Sequence, residues 1–280
     1  MNVSLQPATF HRLSEADFWR YRRFMHEASG IDLGHSKMAM VESRLAKRVG
    51  ELGLQGFGAY WRMINAPENE GERQFVINAL STNETYFFRE PEHFTWLGEY
   101  ASQHKPSAHR PFRVWSAASS SGEEAYTCAI VLAEALGENG NFEVIASDIN
   151  TEMVKNARRG IYASNRTSKV PPHLMQRYFL WGRDEYRGML RVAPEIAQHV
   201  HFRTLNLTDC SHVHIGLFDV IFLRNVMIYF NAETKQQVLQ EVCHKLDDNG
   251  LLLISHSESL SNTDTNMIAI RPSFYRKRMP

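Results

Sequence analysis

Apolar positions follow two different rhythms along this chain. Up to about residue 80 they recur every three to four residues, the spacing of one helix face. Phe18, Tyr21, Phe24 and Met25 define a first helix, broken by Gly30-Ile-Asp-Leu-Gly34. Ser36 is placed to cap a second helix that reaches Val49 and closes at Gly50 and Gly53. Gly56-Phe-Gly58 opens a third, through Tyr60, Trp61 and Ile64. Pro67 and Glu68-Asn-Glu-Gly71 mark a turn before a fourth from Gln74 to Leu80. No strand pattern precedes residue 110. From Phe112 onward strand-like and helical segments alternate. Phe112 to Ser116 precedes a helix from Gly122 to Leu136, and Phe142 to Ser147 precedes one from Thr151 to Arg159. His199 to Thr204 and the apolar run Phe218 to Leu223 read as buried parallel strands. A helix from Ala232 to Leu246 follows. Asp247-Asp-Asn-Gly250 then turns into Leu251 to Ile254, and Met267 to Ile270 with Ser273 to Lys277 form a closing hairpin.

This alternation predicts an α/β fold, a doubly wound and mainly parallel sheet ending in an antiparallel pair. The helical region, residues 1–80, is a separate small all-α domain with its linker, and residues 81–280 form the larger one. Tyr178 to His201 breaks the rhythm with Phe179-Leu-Trp-Gly182 and Gly188-Met-Leu-Arg-Val192. It reads as a small antiparallel β insertion.

With 280 residues, 43% hydrophobic and 22% charged, the chain has the composition of an ordinary globular protein. Its 31 basic and 31 acidic residues cancel, so no global field draws it to nucleic acid or an acidic membrane. Cys128, Cys210 and Cys243 lie far apart without metal-ligand spacing, which points to a reducing cytoplasm and no metal. The longest apolar run, Phe218 to Phe230, is short and interrupted by Asp219, Arg224 and Asn225, so no membrane insertion is expected. Arg12, Arg20, Arg22 and Arg23 precede no continuous apolar core, unlike a signal peptide.

The candidate chemistry centres on Arg113-Val-Trp-Ser-Ala-Ala-Ser-Ser-Ser-Gly-Glu-Glu-Ala-Tyr126, a strand, a tight small-residue turn and a helix start. A doubly wound fold places a nucleotide-like ligand at such a turn. Dinucleotide sites offer several glycines and a bare helix N-terminus to a pyrophosphate. Here Gly122 is followed at once by Glu123 and Glu124, which repel a diphosphate. They suit a ligand with a ribose, an amino group and a positive centre, and S-adenosylmethionine has these features. Asp148, ending the second strand, can accept both ribose hydroxyls, or alternatively cap the following helix. Glu123 and Glu124 point about 100° apart, so at most one faces a ligand; acids here also favour the helix dipole.

Five stretches together resemble the CheR family of chemotaxis receptor methyltransferases. They are Ser81-Thr-Asn-Glu-Thr-Tyr-Phe-Phe-Arg-Glu90, Val114 to Glu124, Ala146-Ser-Asp-Ile-Asn150, Phe218-Asp-Val-Ile-Phe-Leu-Arg-Asn-Val-Met-Ile-Tyr-Phe-Asn231 and His256-Ser-Glu258. They run in the family's order, and the Arg-Asn-Val-Met-Ile-Tyr-Phe string is the most specific. Ala125, Asn150 and Glu84 depart from the family's usual residues. The resemblance implies a class I S-adenosylmethionine-dependent fold. It also implies methyl transfer to glutamate side chains of membrane chemoreceptors, giving γ-glutamyl methyl esters. It places Asn83, Thr85 and Arg89 over the cofactor, with Arg89 near the methyl group, and Glu124 near the cofactor's amino-acid end. Asn206 and Leu207 are implied at the adenine. Arg224 and Asn225 close the fourth strand at the ligand-binding edge. Tyr229 follows one helical turn later and is a candidate to orient the acceptor, with Arg89. Each has a plainer alternative: Arg89 in a surface salt bridge with Glu90 or Glu92, Asn206 as a turn residue, Arg224 buried beside a carboxylate.

Lys37, Arg44 and Arg48 share a helix face flanked by Lys47, beside the apolar stripe Met38, Val41, Leu45 and Val49. This ridge is either a solvated amphipathic surface or, as the resemblance favours, a docking face for acidic receptor helices. In some relatives an edge strand of the β insertion pairs with a receptor's C-terminal peptide. Two competing readings are a methyltransferase for another substrate and a non-catalytic sensor of S-adenosylmethionine or S-adenosylhomocysteine. A nicotinamide oxidoreductase fits worst, because of the two glutamates.

Overall fold

The computed structural model describes residues 12–104, 110–137, 140–261 and 263–278. Positions 10 and 11, where the helical region is expected to begin, lie outside the described residues. The chain divides into two units, residues 1–82 and 83–280.

The first unit holds α1 (Glu15–Ser29), α2 (Met38–Glu51), α3 (Phe57–Ile64) and α4 (Glu70–Leu80). The Ser14 hydroxyl caps α1 by accepting from Asp17 N, and Gly30 ends it. A short 3-10 turn over His35–Lys37 displaces the expected start of α2, and no side chain caps it, Ser36 included. Phe18, Tyr21, Leu45, Tyr60 and Ile64 are fully buried, so the helical stripe found in the sequence is the core. Tyr21 donates its hydroxyl to the Phe57 carbonyl at 2.9 Å. A part-buried polar knot joins α2, α3 and α4. Arg48 donates through Nε and Nη2 to the two carboxylate oxygens of Glu72, each at 2.7 Å, and the Tyr60 hydroxyl donates to the same carboxylate.

The second unit begins with a segment, residues 83–90, leading to α5 (Pro91–Gln103), a helix absent from the sequence expectation. Its apolar positions, Phe94, Leu97 and Ala101, sit among polar residues, and proline opens it. β1 (Phe112–Ser116), α6 (Glu123–Leu136), β2 (Phe142–Asp148) and α7 (Thr151–Arg159) follow in βαβα order. Next come β3 (Ile161–Ala163), α8 (Pro172–Tyr178), β4 (Phe179–Trp181), β5 (Met189–Val192) and α9 (Pro194–Ala197). β6 (Val200–Thr204), β7 (Phe218–Leu223), α10 (Ala232–Cys243), β8 (Leu246–Ile254), β9 (Met267–Arg271) and β10 (Phe274–Lys277) complete the unit.

The main sheet has the order β6-β2-β1-β7-β8-β10-β9, parallel from β6 to β8 and antiparallel at β10 and β9. Side chains of β1 alternate between its faces. Val114 joins Phe94, Leu97, Ile130 and Phe222 on one side, and Trp115 joins Ile221, Val238 and Leu239 on the other. The chain winds outward from β1 in both directions, so a switch point opens at the carboxyl ends of β1 and β7.

Two boundaries differ from expectation. Leu246, assigned to a helix, pairs with Phe218, and Asp247 to Gly250 form an irregularity within β8 and not a free turn. Lys245 O accepting from Phe218 N starts this strand early. The small antiparallel sheet, order β3-β5-β4, recruits Ile161–Ala163 from before the expected insertion, while Val200 and His201 belong to the main sheet.

Arg48 holds Glu72 ionised and below its ordinary pKa of 4.5. A depressed carboxyl stabilises the fold above its unfolded value and ceases to do so as pH falls through the folded one. Glu72→Gln is therefore expected to lower stability near neutral pH and to flatten the loss below pH 4.5, read by circular-dichroism melts of both proteins across that range.

Candidate active site

The crevice is built by the loop after β1. Ala117 N bonds to the Phe222 carbonyl and Ser119 N to the Ser147 carbonyl, which anchors the loop to both neighbouring strands. Ser120 adopts a left-handed φ of 48° and Gly122 a φ of 95°. A Cβ on Gly122 would lie 2.8 Å from Ala157 Cβ and 3.0 Å from Phe202, so glycine lets α6 start against α7 and β6.

Asp148, at the end of β2, is buried. Its Oδ2 accepts from Ser120 N at 2.8 Å and its Oδ1 from Asn150 N at 2.9 Å. Burial raises its pKa above the ordinary aspartate value, and backbone N–H groups of Asn150, Ser120 and Ile149 oppose that rise. Asp148 does not cap α7; Asn150 does, accepting from Glu152 N and Met153 N. Asn83 is drawn to the same place: its carbonyl accepts from Ser120 Oγ at 3.0 Å and its Oδ1 from Asn150 Nδ2 at 2.9 Å. The Thr85 carbonyl accepts from Arg166 Nη2 at 3.1 Å. That same nitrogen reaches Glu123, whose fully buried carboxylate also accepts from Ser121 Oγ at 2.7 Å.

The other half of the edge is organised by Arg224, buried at the end of β7. Its Nη1 donates to Glu124 at 2.8 Å, its Nη2 lies 3.0 Å from Glu90, and Nη2 also donates to the Arg89 carbonyl at 2.6 Å. Burial pushes the Glu124 carboxyl up, against the pull of Arg224 and of the Ser116 hydroxyl, which donates to it at 2.7 Å. For Glu90 burial acts upward too, but Arg224 and the Ser255 hydroxyl outweigh it and hold the group below its ordinary value. Glu124, expected near the amino-acid end of a cofactor, is thus committed to Arg224 and Ser116. Of the acidic pair, Glu123 is the one joined to the segment at Thr85, through Arg166.

Arg89 forms no salt bridge among the described residues. It donates to the Glu84 carbonyl at 2.9 Å and lies over the Tyr86 ring. Asn225 sits at a φ of 58° in the turn after β7, where Glu258 accepts from Asn225 N, Met227 N and Ser255 N at 2.9–3.0 Å. Asn225 Nδ2 donates to Ser255 Oγ. Tyr229 ends the short 3-10 turn Met227–Tyr229 and is half-buried. Asn206 begins another such turn, with its Oδ1 accepting from Thr208, while Leu207 packs among Trp115, Ile145 and Leu205.

Sequence reasoning missed Arg166, Glu90, Ser120 and the bracing role of Glu258. Glu258 stood in a quoted motif, but Arg166 lies in the short 3-10 turn Ser164–Thr167, a stretch too short to carry a sequence pattern.

The edge fits a cationic adenosyl ligand better than a dinucleotide. Carboxylates of Asp148, Glu123 and Glu124 gather behind it, one glycine replaces a glycine-rich loop, and among the described residues Ser119 Oγ is buried without a hydrogen-bond partner. Fold and site define a class I S-adenosylmethionine-dependent methyltransferase. Residues 83–274 match the family domain described as "CheR methyltransferase, SAM binding domain", and residues 16–81 match "CheR methyltransferase, all-alpha domain". The chain belongs to the CheR methyltransferase family. It is 44% identical over 262 residues to a chemotaxis protein methyltransferase of Salmonella typhimurium, covering 93% of this chain and 90% of that protein. It is 42% identical over 253 residues to the one of Escherichia coli, covering 90% and 87%. A chemotaxis protein methyltransferase 2 of Pseudomonas aeruginosa is 41% identical, with 89% and 88% covered.

Gly122→Ala forces both a left-handed alanine and a clash with Ala157. A loss of about 1–3 kcal/mol is expected in denaturant unfolding, whereas unchanged stability would show that the loop relaxes freely.

Proposed function

We propose that this protein methylates glutamate side chains of membrane chemoreceptors, producing γ-glutamyl methyl esters. The observation that carries this reading is the 44% identity, over 93% of the chain, to a protein named for chemotaxis methylation. The chemistry of the edge is consistent with it. S-adenosylmethionine supplies a methyl group already activated on a sulfonium. A glutamate acceptor has a reference pKa of about 4.3 and is an anion near neutral pH, so no base is required. What remains for the chain is alignment and exclusion of water.

In this reading Asp148 receives the ribose, Asn83 and Thr85 cover the cofactor, and Asn206 and Leu207 border the adenine. Leu207 contributes through its backbone, since its side chain belongs to the core. Glu124, Arg224 and Asn225 shape the floor without contacting the reacting atoms. Glu123, fully buried and held by Arg166 and Ser121, is no freer than Glu124 to meet the amino group and acts through Arg166 on the segment at Thr85. Arg89, with no carboxylate partner among the described residues, and Tyr229, with no hydrogen bond from its hydroxyl among them, orient the acceptor.

Receptor contact needs a revision of the basic ridge. Arg44 donates to the Ala79 and Ser81 carbonyls at 3.2 and 2.7 Å, and Arg48 is locked to Glu72. Charge reversal at either would break the helical unit first. Lys37 and Lys47 are the exposed pair, Lys47 with 87% of its side chain accessible. We assign receptor recognition on this face to them. The small sheet offers a second contact for a receptor tail peptide. Exposed Leu180, Trp181 and Tyr186 line a hollow of about 350 Å³ there, together with Arg183 and Arg191.

Incubation with methyl-labelled donor and candidate receptors should yield base-labile label on receptor; label stable to base, or none, contradicts ester formation. Tyr229→Phe should lower turnover by about 10-fold or more, as loss of an orienting group does, and leave calorimetric cofactor affinity intact; equal losses refute its assignment. Asp148→Ala should weaken cofactor binding first. The double reversal Lys37→Glu/Lys47→Glu should reduce receptor methylation while sparing cofactor affinity, and persistent methylation would make this face ordinary surface.

A further inference from the structure

We propose that Glu90, His93 and His256 form a binding site for a divalent transition cation of the zinc type. Three potential ligand atoms converge there. His93 Nδ1 lies 3.5 Å from Glu90 Oε2, His256 Nε2 lies 4.0 Å from the same oxygen, and all fall within 4.8 Å of one another. Zinc–nitrogen and zinc–oxygen distances of about 2.0–2.2 Å in a tetrahedron require ligand atoms about 3.4 Å apart, so small side-chain rotations close the site. The two imidazoles lie tilted against each other, 4.9 Å between centroids at 31°, each with a nitrogen near the same carboxylate.

One serine touches both rings. Ser273 Oγ donates its single proton to the Pro272 carbonyl at 2.6 Å. With its proton there, it accepts from both rings, whose nearest nitrogens are His93 Nε2 at 2.9 Å and His256 Nδ1 at 3.4 Å. The remaining nitrogens, His93 Nδ1 and His256 Nε2, then carry lone pairs aimed at a carboxylate oxygen. In that tautomer the lone pairs and the carboxylate repel, and Arg224 Nη2, 3.0 Å from the same Glu90 Oε2, offsets only part of this; a bound cation would remove the rest. His93 is fully buried, and among the described residues its Nδ1 has no hydrogen-bond partner, as suits a nitrogen that binds a ligand. A ring N–H held by an outer partner while the other nitrogen binds is the usual arrangement of a metal-ligating histidine.

Glu90 supplies the site's negative charge, and Arg224, between Glu90 and Glu124, together with Arg271 near His93, limits how tightly an ion is held. Arg224 competes with the ion for Glu90 Oε2, and His256, 44% accessible, gives the ion a route from solvent and an open position for water. Glu90 itself holds a φ of 56°, uncommon for a non-glycine residue and typical of functional constraint.

The test uses the full-length chain, stripped with chelator and titrated calorimetrically with zinc chloride, with cobalt(II) absorption reporting the ligand field. One equivalent should bind, with a cobalt spectrum of nitrogen and oxygen ligation. His256→Ala, altering a half-exposed residue, should abolish that binding, and Ser273→Ala should weaken it by about 10–100-fold through the outer shell. His212→Ala, at an exposed histidine outside the cluster, should leave it unchanged. Absence of stoichiometric binding to the wild type overturns the proposal. So does equal binding by His256→Ala, which would place the metal on some other surface histidine. His93→Ala is the weaker test, because emptying a buried position risks the fold.

Discussion

A buried arginine held between two carboxylates is the constraint on which this active-site edge depends. Arg224 closes an apolar strand, where an uncompensated charge would be strongly unfavourable. Glu124 on α6 and Glu90 at the start of α5 compensate it from either side, and its second nitrogen also takes the Arg89 carbonyl. Such a group is weak evidence for stability, since well-packed apolar residues often do as well. Its effect here is geometric. It fixes residues 83–90 against the carboxyl ends of the strands and thereby sets where Arg89 begins.

Around that clamp the remaining polar groups form a connected frame. Asp148 and Asn150 hold the loop after β1 and the side chain of Asn83. Glu258 gathers three backbone N–H groups of the turns after β7 and β8. Strained residues at positive φ sit on this edge: Ser120 and Asn225 are held by these bonds, and Glu90 by Arg224 and Ser255. Rigid positioning is what the proposed reaction asks for, because an anionic acceptor and a sulfonium donor need alignment more than proton transfer.

The sequence was most legible where a period repeats. Helix stripes and near-continuous apolar strands located the helical unit, the parallel sheet and its closing hairpin, because burial imposes those periods directly. α5 escaped because its apolar residues stand between polar ones in a stretch dominated by the Thr-Asn-Glu-Thr motif, and its start depends on Glu90 in an unusual conformation. β3 escaped because three residues carry no usable period. At the site, residue identity was legible but partner choice was not. Glu123 and Glu124 are adjacent, and only the helix rotation decides that Glu124 meets Arg224 while Glu123 meets Arg166. Likewise, Lys37, Arg44, Lys47 and Arg48 look alike on a helical wheel. The carbonyls of Ala79 and Ser81 and the carboxylate of Glu72, which withdraw the two arginines, come from a helix three or more turns away in sequence.

The central claim is that Arg224 positions the segment carrying Arg89. Arg224→Lys keeps the charge but loses the fork that reaches several partners at once. Amide hydrogen exchange on this variant and the wild type, with S-adenosylhomocysteine affinity measured in parallel, tests it directly. Faster exchange confined to residues 83–90 and the turn after β7, with weakened binding, is the expected result. Unchanged protection of that segment, or a loss spread evenly over the sheet, would contradict the account.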